Sequence, residues 1–377
     1  MRVVVAPDDF GGTLPAAEAA TAIGAGWQRG APRDEVALRP LSDGGPGFLD
    51  VLRTALDATS VAVRLTDPLG REVDGEVLLC DSVGYVESAQ ACGLHLLDKG
   101  ERDPKITTSY GLGLLLTAAV EAGARTVVVG LGGSATNDGG AGMLAALGAV
   151  PVDDSGQAVA YGGAGLAFVA GVQGAARLRG AELIVATDVD NPLLGPAGAS
   201  AVFGPQKGAT PADVDLLDRA LTRWAEILQT LPGCPPDVGD LPGAGAAGGL
   251  GAALFALGGR REPGIALVRR LVGLDAALDG AGLVITGEGS FDSQSLRGKV
   301  VSGVASAAAE RGLPCLVLAG QVSVGAEEMA AAGITAAYSL AEHVESVAAA
   351  LAEPAAGLES LAELLAQDWA TGHRRVP

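Results

Sequence analysis

The sequence predicts an α/β protein in which a doubly wound parallel-sheet domain is built from both chain ends and a second, mixed α/β domain is inserted into it. Three observations point there. Four apolar runs each end in a small or acidic turn: VVVAPDD from Val3, ALRPLSDGG from Ala37, LVITGEG from Leu283 and CLVLAGQ from Cys315. Helical patterns over 16–29, 299–311 and 344–367 accompany them, and strands alternating with helices imply a parallel sheet. The middle of the chain has a different grammar. Residues 61–88 alternate polar and apolar positions around turn signals at Asp67-Pro68-Leu69-Gly70 and Ser82-Val83-Gly84, the pattern of antiparallel strands. The expected division is 1–60 plus 283–377 for the first domain and 61–282 for the insert, with the active site in the cleft between them.

In chain order, Asp8, Asp9, Asp43 and Glu288 fall at the carboxyl ends of the parallel strands, where α/β proteins bind ligands. An Asp before a helix is also a good N-cap, so each has a purely structural alternative. Within the insert, 106–122 and 212–228 carry helical spacing, while 232–249 is dense in Pro and Gly and reads as a loop. Between those helices the β-branched run from Thr126 to Val129 feeds into GLGGSATNDGGAGM, Gly130 to Met143, a buried strand entering an open-backboned loop. Its bare N–H groups, the hydroxyls of Ser134 and Thr136, and Asp138 suit a phosphate or metal-phosphate cradle.

Gly130-x-Gly132-x-x-Ala135 with Asp153 downstream imitates a dinucleotide fingerprint. With 57 glycines in 377 residues that spacing arises by chance on the order of once, and Gly243-x-Gly245-x-x-Gly248 is a second instance. Asp138 would also repel a pyrophosphate unless a cation intervened. Asp188, Asp190 and Asn191 follow the strand-like run 183–186, and strand alternation would place both carboxylates on one side. Hard oxygen ligands of this kind suit Mg²⁺, and Lys207 would offer a phosphate a point charge; the alternative is an Asx turn beside a solvated lysine. Glu288, Asp292, Arg297 and Lys299 would bind an anionic substrate or order a metal, or else form a capped helix with surface ion pairs.

Composition narrows the function. At 49% hydrophobic, 377 residues supply cores for roughly two domains. A net charge of −19 with only 25 Lys and Arg argues against nucleic acid as a partner. The apolar stretch 112–120 stops at Glu121, short of the ~20 residues of a membrane span. The start of the chain lacks a signal-peptide pattern and the four cysteines are scattered, so a reducing cytoplasm is expected. Gly298-Lys299 is followed by Val300, so a P-loop is absent, and no Ser-His-Asp order or G-x-S-x-G elbow occurs.

Together these segments resemble the bacterial glycerate kinase family. The resemblance is carried by Ala6-Pro7-Asp8, Ser42-Asp43-Gly44-Gly45, Thr107-Thr108-Ser109-Tyr110-Gly111, Gly132 to Met143, Asp188 to Pro192, Phe203 to Gly208, Gly243 to Gly249, and ITGEG followed by Asp292 and LRGK. It implies a flavodoxin-like first domain, ATP and Mg²⁺ as cofactors, and phosphorylation of D-glycerate at the 2-hydroxyl. On that resemblance Asp188 or Asp190 would bind metal or take the hydroxyl proton, with Asp8, Asp43 and Glu288 as alternatives for those roles. Lys207 would contact phosphate, and Gly132, Gly133, Ser134, Thr136, Asn137, Gly243, Gly245 and Gly248 would hold the nucleotide. Asp8, Asp43, Ser109, Glu288, Asp292 and Arg297 would meet the substrate, Arg297 at its carboxylate. A homodimer stays open.

Three positions depart from the family pattern. Gly11 replaces a lysine, Ser290 an arginine, and Pro46 a glutamate. Each lost charge-assisted contact would cost roughly 1.5–3 kcal/mol. The alternatives to glycerate phosphorylation are therefore a different small hydroxy acid or polyol as acceptor, or ligand binding without turnover.

Overall fold

The computed structural model describes residues 1–296 and 299–371. Among them the strands in chain order are β1 (Arg2–Val5), β2 (Glu35–Leu38), β3 (Thr59–Thr66), β4 (Glu72–Cys80), β5 (Val83–Glu87), β6 (Thr126–Gly130), β7 (Ala149–Val152), β8 (Gly171–Gly174), β9 (Glu182–Ala186), β10 (Arg260–Glu262), β11 (Leu283–Phe291), β12 (Cys315–Val322) and β13 (Ala336–Ser339). Contacts divide the chain into two compact units. One takes Met1–Asp43, Asp50–Leu56 and the chain from Ile265 onward; the other takes Gly44–Leu49 and Asp57–Gly264.

The first unit holds a parallel sheet in the order β13-β12-β11-β1-β2. Renumbered within that sheet, the order is 2-1-3-4-5, the flavodoxin-like winding, whose switch point lies between β1 and β11. The helix Ala16–Gly30 lays Ala16, Ala19, Ala20, Ile23 and Trp27 against the core, the spacing of one helical face. Its Gly26 and Gly30 admit the helix Pro354–Ala370 closely: a Cβ on Gly26 would lie 2.0 Å from the Glu359 carbonyl oxygen. That second helix buries Leu358, Leu361 and Leu365, each worth roughly 1.5–3 kcal/mol relative to exposure. Arg29 pairs with Glu359 and, at 2.8 Å, with Glu363 across the same contact.

The helical pattern expected over 344–367 is broken into Val347–Ala352 and Pro354–Ala370, with a separate turn of helix at Leu340–His343 before it. Pro354 has no N–H to continue the preceding helix and sits instead in the first turn of its own, where that N–H would be unsatisfied anyway. β13 has only four residues, and its AAYS composition carries no apolar run that periodicity detects.

The second unit holds a mixed sheet, β10-β9-β6-β5-β4-β3, and the hairpin β7-β8. β3, β4 and β5 are antiparallel, as the alternation over 61–88 predicts, but β5 also pairs parallel with β6, so β5 joins the hairpins to a parallel half containing β6, β9 and β10. The helix expected over 106–122 runs Tyr110–Glu121, because Thr107, Thr108 and Ser109 are drawn into the neighbouring loop. The helix Pro211–Leu228 starts on a Thr210 capping box with Asp213. Among the described residues, no helix is long and apolar enough to cross a membrane.

Candidate functional sites

In the second unit the chain leaves β6 at Gly130 and crosses a glycine-rich loop before the helix Ala141–Leu147. Other segments pack against that loop so closely that side chains would not fit. A Cβ on Gly132 would lie 2.6 Å from Gly45 Cα, and one on Gly133 2.8 Å from the Pro46 ring. On the opposite side a Cβ on Gly248 would lie 1.9 Å from the Thr136 carbonyl oxygen, and Gly139 N–H donates to Gly248 O at 3.0 Å. Ala247, Gly248 and Gly249 all have positive φ, with Ala247 at +51°, so 247–249 is a left-handed turn and the regular helix begins after it. Gly245 N–H donates to Asn191 O at 3.0 Å, which ties in the segment after β9. Three of the sequence-predicted segments, 132–140, 188–193 and 243–249, are thus packed together beyond the carboxyl ends of β6 and β9.

Lys207 lies inside this assembly, 1% exposed. Its Nζ donates to Ser134 Oγ at 2.9 Å and to the Thr136 carbonyl at 2.7 Å. Burial pulls its pKa down from 10.5 to about 7, while the neighbouring Asp138 carboxylate acts in the opposite direction. The Thr136 hydroxyl and Asn137 Oδ1 are buried with no hydrogen-bond partner, although Asn137 Nδ2 reaches Ser200 Oγ at 2.9 Å. Orphaned buried oxygens are costly, and these two leave hydrogen-bonding capacity unused inside the cradle.

Asp138 serves a different purpose from the one its sequence position suggests. It is 1% exposed, and its carboxylate accepts from Ser109 N (2.8 Å), Ser109 Oγ (2.9 Å), Gly140 N (3.1 Å) and Gly142 N (3.2 Å). Ser109 Oγ in turn accepts from Met143 N at 3.0 Å. Asp138 and Ser109 therefore satisfy the free N–H groups at the starts of two helices, Tyr110–Glu121 and Ala141–Leu147. Burial raises the Asp138 pKa and these donors lower it.

Asp188 is half-buried and Asp190 exposed. β9 ends at Ala186, so strand alternation does not extend to them and does not set the two carboxylates side by side. Asn191 Nδ2 donates to the Ala197 carbonyl at 2.8 Å. Among the described residues no three His, Cys, Asp or Glu side chains converge as a metal site. Asp153 is a turn former, accepting from Ser155 N, Ser155 Oγ and Gln157 N, which removes the dinucleotide reading of its position.

The first unit has its own cluster at the β1/β11 switch point. Asp8 and Asp9 follow β1, Glu288 lies within β11 rather than beyond it, and Asp43 follows β2 by five residues. Asp8 N–H donates to Gly287 O at 2.8 Å, Asp9 N–H to Asp8 Oδ1 at 2.9 Å, and Gly12 N–H to Asp9 Oδ2 at 2.9 Å. Burial raises the Asp8 pKa well above the ordinary range, and the charges of Asp43, Asp9 and Glu288 add to it. Glu288 is 7% exposed, with Oε1 buried and unpaired; burial raises its pKa, whereas Ser295 and Lys299 pull it down. Asp9 is raised chiefly by burial and lowered by the Gly12 N–H. Asp292 turns back to accept from Gln294 N at 2.7 Å, and Arg297 lies outside the described residues.

The departures from the family pattern have plain settings. Gly11 is exposed with φ +60°, and a Cβ there would meet nothing within 4 Å, so backbone strain and not space disfavours a side chain. Ser290 is exposed on β11. Lys207 was legible as a cation next to glycine, but its burial was not, and no local signal marks Cys92, whose carbonyl accepts from Ala135 N at 2.6 Å, as part of the loop's wall.

Comparison with known proteins adds an independent line. The model of the glycerate kinase family matches residues 3–370. The glycerate kinase of Halalkalibacterium halodurans is 40% identical over 370 residues, 97% of each chain. The glycerate 2-kinase of Escherichia coli K12 is 40% identical over 346 residues, 90% of each chain. A crystal structure assigned as glycerate kinase 2 of Salmonella typhimurium LT2 superposes with a TM-score of 0.81 at 40% identity and full coverage of both chains.

Proposed function

This chain belongs to the glycerate kinase family, and we propose that it transfers the γ-phosphoryl group of ATP to the 2-hydroxyl of D-glycerate, giving 2-phosphoglycerate and ADP. The observation that carries the proposal is the match along 3–370. The geometry that supports it is the glycine-rich cradle, where the loop's backbone, the unpaired Thr136 hydroxyl and a buried amine suit phosphate oxygens.

On this reading Gly132, Gly133, Ser134, Thr136 and Asn137 would hold the phosphates, and the turn through Gly243, Gly245 and Gly248, packed directly against Thr136 and Gly139, braces that loop from behind. Lys207 holds Ser134 and the Thr136 carbonyl in place, so it acts on the nucleotide through the loop. Asp138 and Ser109 fix the helix starts behind that loop, which makes Ser109 a positioning residue. Asp188 or Asp190 would hold Mg²⁺ with one carboxylate, phosphate oxygens and water completing its shell, and the ion would neutralise charge on the transferred phosphoryl group. In the first unit, Asp8 accepts the proton of the acceptor hydroxyl at Oδ2, the oxygen that the Asp9 N–H leaves unengaged. A carboxylate whose pKa has risen toward neutrality is the better general base. Phosphoryl transfer otherwise asks the protein for alignment and charge neutralisation.

A coupled ADP-release assay with D-glycerate tests the proposal, with the phosphorylated carbon identified by NMR. Folded protein that binds Mg·ATP and gives no turnover rejects it. A panel of hydroxy acids and polyols tests the acceptor, since Gly11, Pro46 and Ser290 all remove charges that the family pattern supplies.

A further inference from the structure

We infer that an apolar cavity beside the helix Ala141–Leu147 receives the purine ring of the nucleotide; the inference rests on the ATP reading above and adds the place where the base is read. The cavity measures about 270 Å³ and is walled by Ala141, Ala145, Val150, Val159, Tyr161 and Gly162, among others. Pockets for drug-sized ligands run from roughly 300 to 1,000 Å³, so this one suits a single flat ring system and is too small for a whole nucleotide.

Its position ties it to the phosphate cradle. Ala141 and Gly142 in its wall directly follow Asp138–Gly140, and a Cβ on Gly163, next to the wall residue Gly162, would lie 2.6 Å from the Asn137 carbonyl oxygen. The cavity wall therefore begins where the loop that holds the orphaned Asn137 and Thr136 oxygens passes into its helix. Tyr161 lies in the wall and is 57% exposed as a residue, and Tyr110 meets it edge to face, ring centroids 5.6 Å apart at 66°. A large exposed aromatic held by a second ring offers a face for stacking. Among the described residues, the main-chain N–H groups of Ala160 and Tyr161 make no hydrogen bond, which leaves donors for the ring nitrogens of a purine. An apolar slot with a few main-chain polar groups at one edge is the usual composition of a base pocket.

The test fills the cavity without touching the loop. Ala145→Leu and, independently, Ala158→Leu should each weaken ATP binding on the order of tenfold or more, since added methylenes in a fitted pocket cost that much. Inorganic tripolyphosphate binding and the acceptor KM should stay unchanged, and the wild-type protein should prefer ATP to UTP. Thermal unfolding of both variants confirms that they fold. ATP affinity equal to wild type in both folded variants overturns the inference while leaving the kinase reading intact, and so does equal affinity of the wild type for ATP, UTP and tripolyphosphate. Wild-type protein that binds no nucleotide overturns both.

Discussion

Replacing Lys207 with Met should change the pH dependence of stability in a way that no surface lysine would. In the unfolded chain the amine keeps its proton up to its ordinary pKa of 10.5, whereas in the folded protein burial lowers that to about 7. Between those values unfolding takes up a proton, so the wild-type protein gains stability as pH rises from about 7 to 10.5 and has lost that contribution at pH 7 and below. A shift of this size is worth about 5 kcal/mol at most, with 1.36 kcal/mol per pH unit in mid-window, and about 2 kcal/mol of it should develop between pH 7 and 9. With 1% exposure, solvent screening offers little discount. Lys207→Met has no proton to take up there, and all other titrations are common to both proteins. Urea unfolding at pH 7, 8 and 9 gives the stability difference between the two. That difference should move by about 2 kcal/mol in favour of the wild type across the range. Parallel stability curves would refute the reasoning, since they would mean that the ammonium keeps its proton in the fold. The variant should also raise the KM for ATP, because Ser134 and the Thr136 carbonyl lose the group that holds them.

Asp43→Asn removes a charge that raises the Asp8 pKa, so the acid limb of the kcat/KM profile for D-glycerate should shift to lower pH; an unmoved limb would remove Asp8 as the base. Asp8→Asn should abolish turnover yet raise Tm at pH 7, because a carboxyl whose folded pKa is raised stabilises the fold at low pH and loses that contribution as pH climbs through it. Ser109→Ala should cost roughly 1–3 kcal/mol in urea unfolding, since it strips a donor from the buried Asp138 carboxylate and leaves Met143 N unpaired, with the acceptor KM unchanged. Gly248→Ala puts a Cβ 1.9 Å from the Thr136 carbonyl at φ +71° and should destabilise by more than about 1 kcal/mol while weakening ATP binding, read by calorimetry.

Much of this arrangement is visible along the chain. The apolar runs ending in turns mark β1, β11 and β12, and the alternation over 61–88 marks β3 to β5, because burial of one or both strand faces imposes a period that a reader can count. Glycine density at 130–140 and 243–249 marks loops in which side chains would not fit. What the period cannot mark is a short strand such as β13, or a helix pattern cut at Pro354 into separate pieces.

The functional residues divide along the same line. Residue type and local pattern say that Lys207 is a cation near glycines, that Asp138 is an acid in a loop, and that Asp8, Asp43 and Glu288 fall at strand ends, although Glu288 proves to lie within β11. Only the folded chain buries Lys207 between Ser134 and Thr136, commits Asp138 to four donors at two helix starts, and gathers Asp9, Asp43 and Glu288 closely enough around Asp8 to raise its affinity for protons. The reason is physical: identity and local spacing are properties of the chain, whereas dielectric surroundings, hydrogen-bond partners and like-charge neighbours are set by residues hundreds of positions away, as with the Thr286 hydroxyl on the Ala6 carbonyl, 280 positions apart.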